Sequence, residues 1–223
     1  MADRHIPAET PEIVLAAIDT SILAAWRELG SDMPWVRTHN GSIVQVECDA
    51  VVSPSNSFGF LDGGIDLIYS HHFGWHVQDR LQELIREKHD GELLVGRAEI
   101  VSTGHESIPY LISAPTMRVP QPLGESVHPY LAARAVLLLW RDGTFPEGEH
   151  AGRPVREVVH TIAIPGLGTG TGRVPAEAFA RQLRAAIDDV LLGGTPFPGS
   201  WIDAAVRHAR LTGVPLVIGE DDE

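Results

Sequence analysis

With a single cysteine, Cys48, among 223 residues, the chain cannot form an internal disulfide or assemble a thiolate zinc site. A reducing compartment, the cytoplasm, is the expected setting. Basic residues are scarce as well. There are 17 against 30 acidic ones, and the formal charge of −13 repels a polyanion. Binding along a nucleic-acid backbone is therefore not expected. No apolar run approaches the ~20 residues needed to cross a bilayer, so no membrane partner is expected. The opening Met-Ala-Asp-Arg-His-Ile-Pro also lacks the basic and long apolar segments of a secretory signal, and a soluble protein is expected. What remains is ordinary globular composition, 43% hydrophobic and 21% charged, without internal repeats. It suits one domain with its own core.

Apolar patterning orders the chain as alternating strands and helices. Ile13 to Ala17 reads as a buried strand, with Asp19, Thr20 and Ser21 as helix-start residues and Ile22, Leu23, Trp26 and Leu29 at helical spacing. Further strands are expected at Trp35 to Thr38, Asp49 to Ser53, Ala98 to Ser102, Tyr110 to Ser113 and Val158 to Ile164, the last containing His160. A helix follows Ile65, with Ile68, Tyr69, Val77, Leu81, Leu84 and Ile85 on one face and an interruption at Gly74. Two more helices are expected, Tyr130 to Trp140 and one built on Phe179, Leu183, Ile187 and Val190. Gly143 to Arg156 reads as an exposed excursion. Alternation of this kind argues a layered α/β fold with a mostly parallel sheet.

Two loops carry the chemistry. Pro165-Gly166-Leu167-Gly168-Thr169-Gly170-Thr171-Gly172-Arg173 joins a buried strand to a helix. Glycine at every second position exposes backbone N–H groups beside a positive helix end, which suits a diphosphate; a ligand-free turn is the alternative. The spacing misses G-x-G-x-x-G, because Arg173 stands where the last glycine belongs, and no Lys-Ser/Thr ending follows. A second turn, Ser53 to Gly64, precedes the Ile65 helix, and loops at the C-terminal ends of two such strands face one crevice. In it Asn56 either meets a sugar hydroxyl or braces its own turn. Asp66 either complements the helix dipole or contacts a ribose or a water. Phe58 and Phe60 either stack on a ligand ring or pack inside.

Taken together, Asp49-Ala50-Val51-Val52-Ser53-Pro54-Ser55-Asn56, Gly63-Gly64-Ile65-Asp66 and Ile162-Ala163-Ile164-Pro165-Gly166-Leu167-Gly168-Thr169-Gly170 resemble the macro domain family. That family pairs a V-D-A-I-V-N-A-A-N strand and turn with a G-G-G-V-D helix start and a late P-x-x-S-T-G loop. The resemblance covers about residues 36–192, leaving a β-α extension at 1–35, read as an added sheet edge, and a C-terminal extension at 193–223 of a single domain, 1–223. It implies a three-layer α/β/α fold and a cleft for ADP-ribose or an ADP-ribosylated substrate, with no cofactor. Gly166, Gly168, Thr169, Gly170, Thr171 and Gly172 would cup the diphosphate. Arg173 either approaches it or stays solvated. Ser42, Ile43, Ser55, Gly63, Gly64 and Ile65 complete the binding set, and Asn56 and Asp66 take the positions that place water in hydrolytic members. Where the family reads Gly-Asp-Ile this chain has Gly41-Ser42-Ile43, so a charge-assisted contact of about twice the neutral strength is missing at that point. The resemblance implies a hydrolase of ADP-ribosyl linkages; the alternatives are a reader without turnover and a binder of another nucleotide diphosphate.

His72 and His76, four residues apart with His71 beside them, are better read as solvated or edge-packed than as metal ligands, since no third ligand stands at a recognised spacing. Cys48 reads as a small buried residue.

Overall fold

The computed structural model describes residues 10–194 and 196–215. The first nine residues, on which the reading of the chain's opening rests, and 216–223 of the C-terminal extension lie outside the described residues. Six strands form one sheet: β1 Glu12–Ala17, β2 Val36–Asn40, β3 Ala50–Ser53, β4 Glu99–Ser102, β5 Tyr110–Ser113 and β6 Thr161–Ile164. Their order is β2-β1-β6-β3-β5-β4, every neighbouring pair parallel except β4 with β5. The helices are α1 Thr20–Leu29, α2 Gly64–Phe73, α3 His76–Lys88, α4 His128–Asp142, α5 Ala176–Leu191 and α6 Trp201–Thr212.

The three layers follow from how the strands read. A parallel strand covered on both faces needs apolar side chains at every position, not at alternate ones. In β1, Ile13 and Leu15 join one core, and Val14 and Ala16 join the other. The first core holds α1, α4 and α5 against the sheet through Trp26, Val136 and Phe179; the second holds α2 and α3 through Tyr69, Leu81 and Ile85. Full burial of each such side chain stabilises by about 1.5–3 kcal/mol.

Several expectations change in detail. The opening β-α unit is not an added edge: β1 pairs with both β2 and β6, and β2 is the edge strand. His160 lies before β6, exposed, where its amide and that of Thr161 donate to Asp49 Oδ2 at 2.7 and 2.9 Å. The excursion after α4 is pinned by two buried side chains, Phe145 and Val155. Gly74, at φ 98°, ends α2 and starts a new axis at Trp75, so His72 and His76 belong to different helices. His76 Nε2 meets the Thr103 carbonyl oxygen at 2.9 Å, and the His72 ring lies 4.8 Å from that of His105. Cys48 is buried, and that burial pushes its thiol up to about 12. In the C-terminal extension α6 is held to α5 by Arg181, which donates to the carbonyls of Leu211 and Thr212. No described helix is long and apolar enough to cross a membrane.

Candidate functional site

Because β2, β1, β6, β3 and β5 run parallel, their C-terminal ends share one crest, and the loops leaving them enclose a cleft of about 360 Å³. Every residue expected to bind ligand except Arg173 lines it: Ser42 and Ile43 after β2, Ser55 and Asn56 after β3, Gly63, Gly64, Ile65 and Asp66 at the start of α2, and Gly166 to Gly172 after β6 apart from Leu167. The two glycine turns, more than a hundred residues apart in sequence, are walls of one cavity.

The late turn is shaped by packing and leaves its amides open. Thr169 donates through N and Oγ1 to the Gly166 carbonyl at 3.3 and 3.0 Å, and Val174 N closes onto Gly168 O at 3.0 Å. A Cβ on Gly172 would stand 2.4 Å from Gly168 O and 2.8 Å from Leu123 Cδ1, so glycine is needed for close approach there. Gly170 is different, since a Cβ there meets open space. Among the described residues the amides of Gly168, Gly170, Thr171 and Gly172 have no acceptor. Arg173 is not brought into the cleft. It sits exposed beyond Gly172 at φ 56°, its N–H closing a turn onto Gly170 O at 3.0 Å.

The early turn is held rigidly from within. Leu61 N donates to Gln78 Oε1 at 2.8 Å, and Ser70 Oγ donates to Leu61 O at 2.7 Å. Asn56 works on the same loop: Oδ1 accepts from Phe58 N and Phe60 N, and Nδ2 donates to Phe60 O at 3.0 Å. Its amide is thus a brace, and one Nδ2 hydrogen is left for the cleft. That brace holds Phe60 in the cleft wall, half-exposed, so packing inside is not its use. Phe58 instead lies under Arg118, 5.1 Å from the guanidinium carbon to its ring centre. At the start of α2 the amides of Gly63, Gly64 and Ile65 have no acceptor among the described residues, as the first turn of a helix requires. Gly64 takes φ 56°, which a side chain would strain.

Asp66 is the unusual group. It is 8% exposed, in the first turn of α2, with Oδ1 accepting from Ser53 Oγ at 2.6 Å. Burial pushes its carboxyl up to about 7; the Ser53 bond opposes the rise and the nearby Asp62 adds to it. A carboxyl balanced between its two forms near neutral pH suits proton transfer. Ser55, also buried, shares a 2.7 Å hydrogen bond with Ser113 and so joins the ends of β3 and β5.

Sequence reasoning missed the β1 side of the cleft, lined by Ala17, Ile18, Asp19 and Ile22, and the β5 side, lined by Thr116 and Met117. In the sequence Asp19 carries only the signature of a helix start. Its position after a central strand was the missing signal. Ile68, expected on the packed face of α2, is exposed at the cleft. Among the described residues no lysine, arginine or histidine lines the cavity, so an anion in it would meet backbone amides, helix ends and neutral polar side chains.

A family model described as Macro domain matches residues 52–183. An uncharacterized protein of Aquifex aeolicus is 30% identical over 148 residues, 66% of this chain and 78% of its own length. Among solved structures, the macrodomain of Mycobacterium tuberculosis DarG superposes with a TM-score of 0.54 at 17% identity, over 69% of this chain and 90% of its own. A mutant Oceanobacillus iheyensis macrodomain with ADPR does so with a TM-score of 0.53 at 20% identity, over 70% and 73%. The fold, the cleft at its crest and the matched segment agree: the chain belongs to the macro domain family.

Proposed function

We propose that the cleft binds ADP-ribose and that the protein is a hydrolase, releasing ADP-ribose from a modified protein, nucleic acid or O-acyl ester. The observation that carries this reading is the convergence of two sets of unpaired backbone amides on one cavity, with the Asp66 carboxyl in the same wall. A pyrophosphate seated there exchanges hydration water for fixed N–H donors. The Oceanobacillus macrodomain with ADPR supports the choice of ligand. In the reaction a water oxygen bonds to the anomeric or acyl carbon, the bond to the leaving group breaks, and Asp66 takes the water's proton. General base catalysis of this kind contributes about 10²–10⁴-fold. The second reading, a reader without turnover, draws support from Asn56, whose amide is largely committed to its own loop.

That no cationic side chain among the described residues lines the cleft makes a test of binding. A phosphate site built on lysine or arginine weakens steeply as salt screens it, whereas one built on amides in a chain of charge −13 does not. Affinity for ADP-ribose is expected to change by less than about threefold between about 50 and about 500 mM salt, measured by titration calorimetry. A tenfold loss, or no binding at either concentration, counts against the site. Single-turnover incubation with an ADP-ribosylated peptide then separates the two readings. Free ADP-ribose supports the hydrolase, and bound but intact peptide leaves only the reader. We further propose that residues 1–223 form one cytoplasmic domain, whose core is not bounded at residue 36 because β1 lies inside the sheet.

A further inference from the structure

We propose that the bond broken joins ADP-ribose to an arginine side chain, and that Phe60 and Asp62 hold the guanidinium as it leaves. The inference rests on the hydrolase reading above and adds to it the chemical class of the modified residue. Its basis is the loop between β3 and α2. Leu61 is fully buried, its N–H donating to Gln78 Oε1 and its carbonyl accepting from Ser70 Oγ, so the residues on either side of it turn outward. Both line the cleft, Phe60 49% exposed and Asp62 exposed. Asn56 Nδ2 fixes Phe60 further through its carbonyl, at 3.0 Å. Asp62 stands close enough to Asp66 for its charge to be felt there, so this part of the wall borders the point at which the linkage is cut.

A carboxylate in the wall of a diphosphate site repels a ligand whose charge is all negative. A positive group on the same ligand reverses that effect. Serine, ester and nucleobase linkages carry none. A substituted guanidinium carries one, spread over a flat fork that suits an aromatic face and a carboxylate together. The protein already holds one guanidinium in this way: Arg118 lies 5.1 Å from the centre of the Phe58 ring, in the same loop, while its Nε and Nη2 donate to Glu92 at 2.7 and 3.3 Å. Phe60 and Asp62 offer a second pairing of ring and acid, and no lysine, arginine or histidine among the described residues lines the cleft beside them. In the reaction a water oxygen bonds to the anomeric carbon and the carbon–nitrogen bond breaks, its electron pair going to the guanidinium nitrogen. The neutral guanidine so formed takes the proton that Asp66 has drawn from the water.

The test follows release of ADP-ribose from an arginine-linked peptide beside a serine-linked peptide, O-acetyl-ADP-ribose and an ADP-ribosylated oligonucleotide. The full chain is compared with Asp62→Asn and Phe60→Leu, both changes at exposed positions that leave the core intact. Calorimetry with free ADP-ribose accompanies each. The parent is expected to cleave the arginine-linked peptide. Asp62→Asn should lower kcat/KM for it by at least about fivefold and Phe60→Leu by at least about threefold, while affinity for free ADP-ribose changes by less than about twofold. Raising salt from about 50 to about 500 mM should lower the same kcat/KM by about threefold or more, unlike ADP-ribose affinity. A parent that cleaves only the other substrates, or an unchanged kcat/KM in either variant, overturns the assignment alone. So does an equal loss of affinity for free ADP-ribose, which would place Asp62 on a ribose hydroxyl. Free ADP-ribose bound with no substrate cleaved overturns the hydrolase reading along with it.

Discussion

Asp66→Asn is expected to slow release of ADP-ribose by at least about a hundredfold while changing ADP-ribose affinity by less than about threefold. The amide is nearly the same shape and can still accept from Ser53, but it cannot take a proton. The same substitution should stabilise the protein, in a pH window set by the shifted carboxyl. Burial raises its pKa from the ordinary 3.8 to about 7. Between those values the native state holds a proton that the unfolded chain has released, so folding stability falls as pH rises from about 4 to about 7 and is level above that. Asparagine escapes this loss. Its advantage should be absent near pH 3 and reach a few kcal/mol by about pH 8, roughly 5–10 °C in melting temperature. Melting scans at three pH values read it directly, and a variant that melts below the parent at pH 8 would mean that Asp66 is not a strained acid. A companion arm uses Ser53→Ala. Losing the one hydrogen bond that lowers the Asp66 pKa should move the rise of kcat/KM with pH in the alkaline direction. A structural serine would leave that profile in place.

Gly172→Ala should weaken ADP-ribose binding by about a hundredfold or more, out of proportion to a methyl group. The added carbon meets a backbone oxygen, that of Gly168, at 2.4 Å, and the Leu123 side chain on its other side. Leu123 N also donates to Gly172 O at 2.9 Å, so neither neighbour can yield without the turn reopening. Once it opens, the row of amides no longer points at one place. Gly170→Ala is the control: its Cβ enters open space at an ordinary backbone angle, and its melting temperature should stay within about 1 °C of the parent. Native affinity in the Gly172 variant would show that the late turn does not hold the pyrophosphate.

The elements themselves were legible because each has a local cause. Continuous apolar runs such as Ile13 to Ala16 mark strands covered on both faces, and the late glycine turn stands out against any background. The order of strands was not legible. A run buried on both faces looks the same at a sheet's margin as in its middle, so in sequence β1 reads as an added edge and Asp19 as a helix start alone. Asn56 and Phe60 were ambiguous for a related reason. An asparagine in a turn bonds either outward or inward, and only three-dimensional placement decides; here Phe58, Phe60 and the loop they belong to take its hydrogen bonds. The two turns were found, but their meeting depended on β6 lying beside β3.

The place of β1 also bears on how the protein is born. Ile13 finds Ile162 as its neighbour, so a chain emerging from the ribosome carries a completed first strand long before the partner on its inner side has been synthesised. Until then Val14 and Leu15 face water or a chaperone, with β2 the sole strand available to them. The binding cavity therefore cannot open on a growing polypeptide. It comes into being only after residues 161–172 have been made, when β6 slots between β1 and β3 and carries the late glycine turn to the crest.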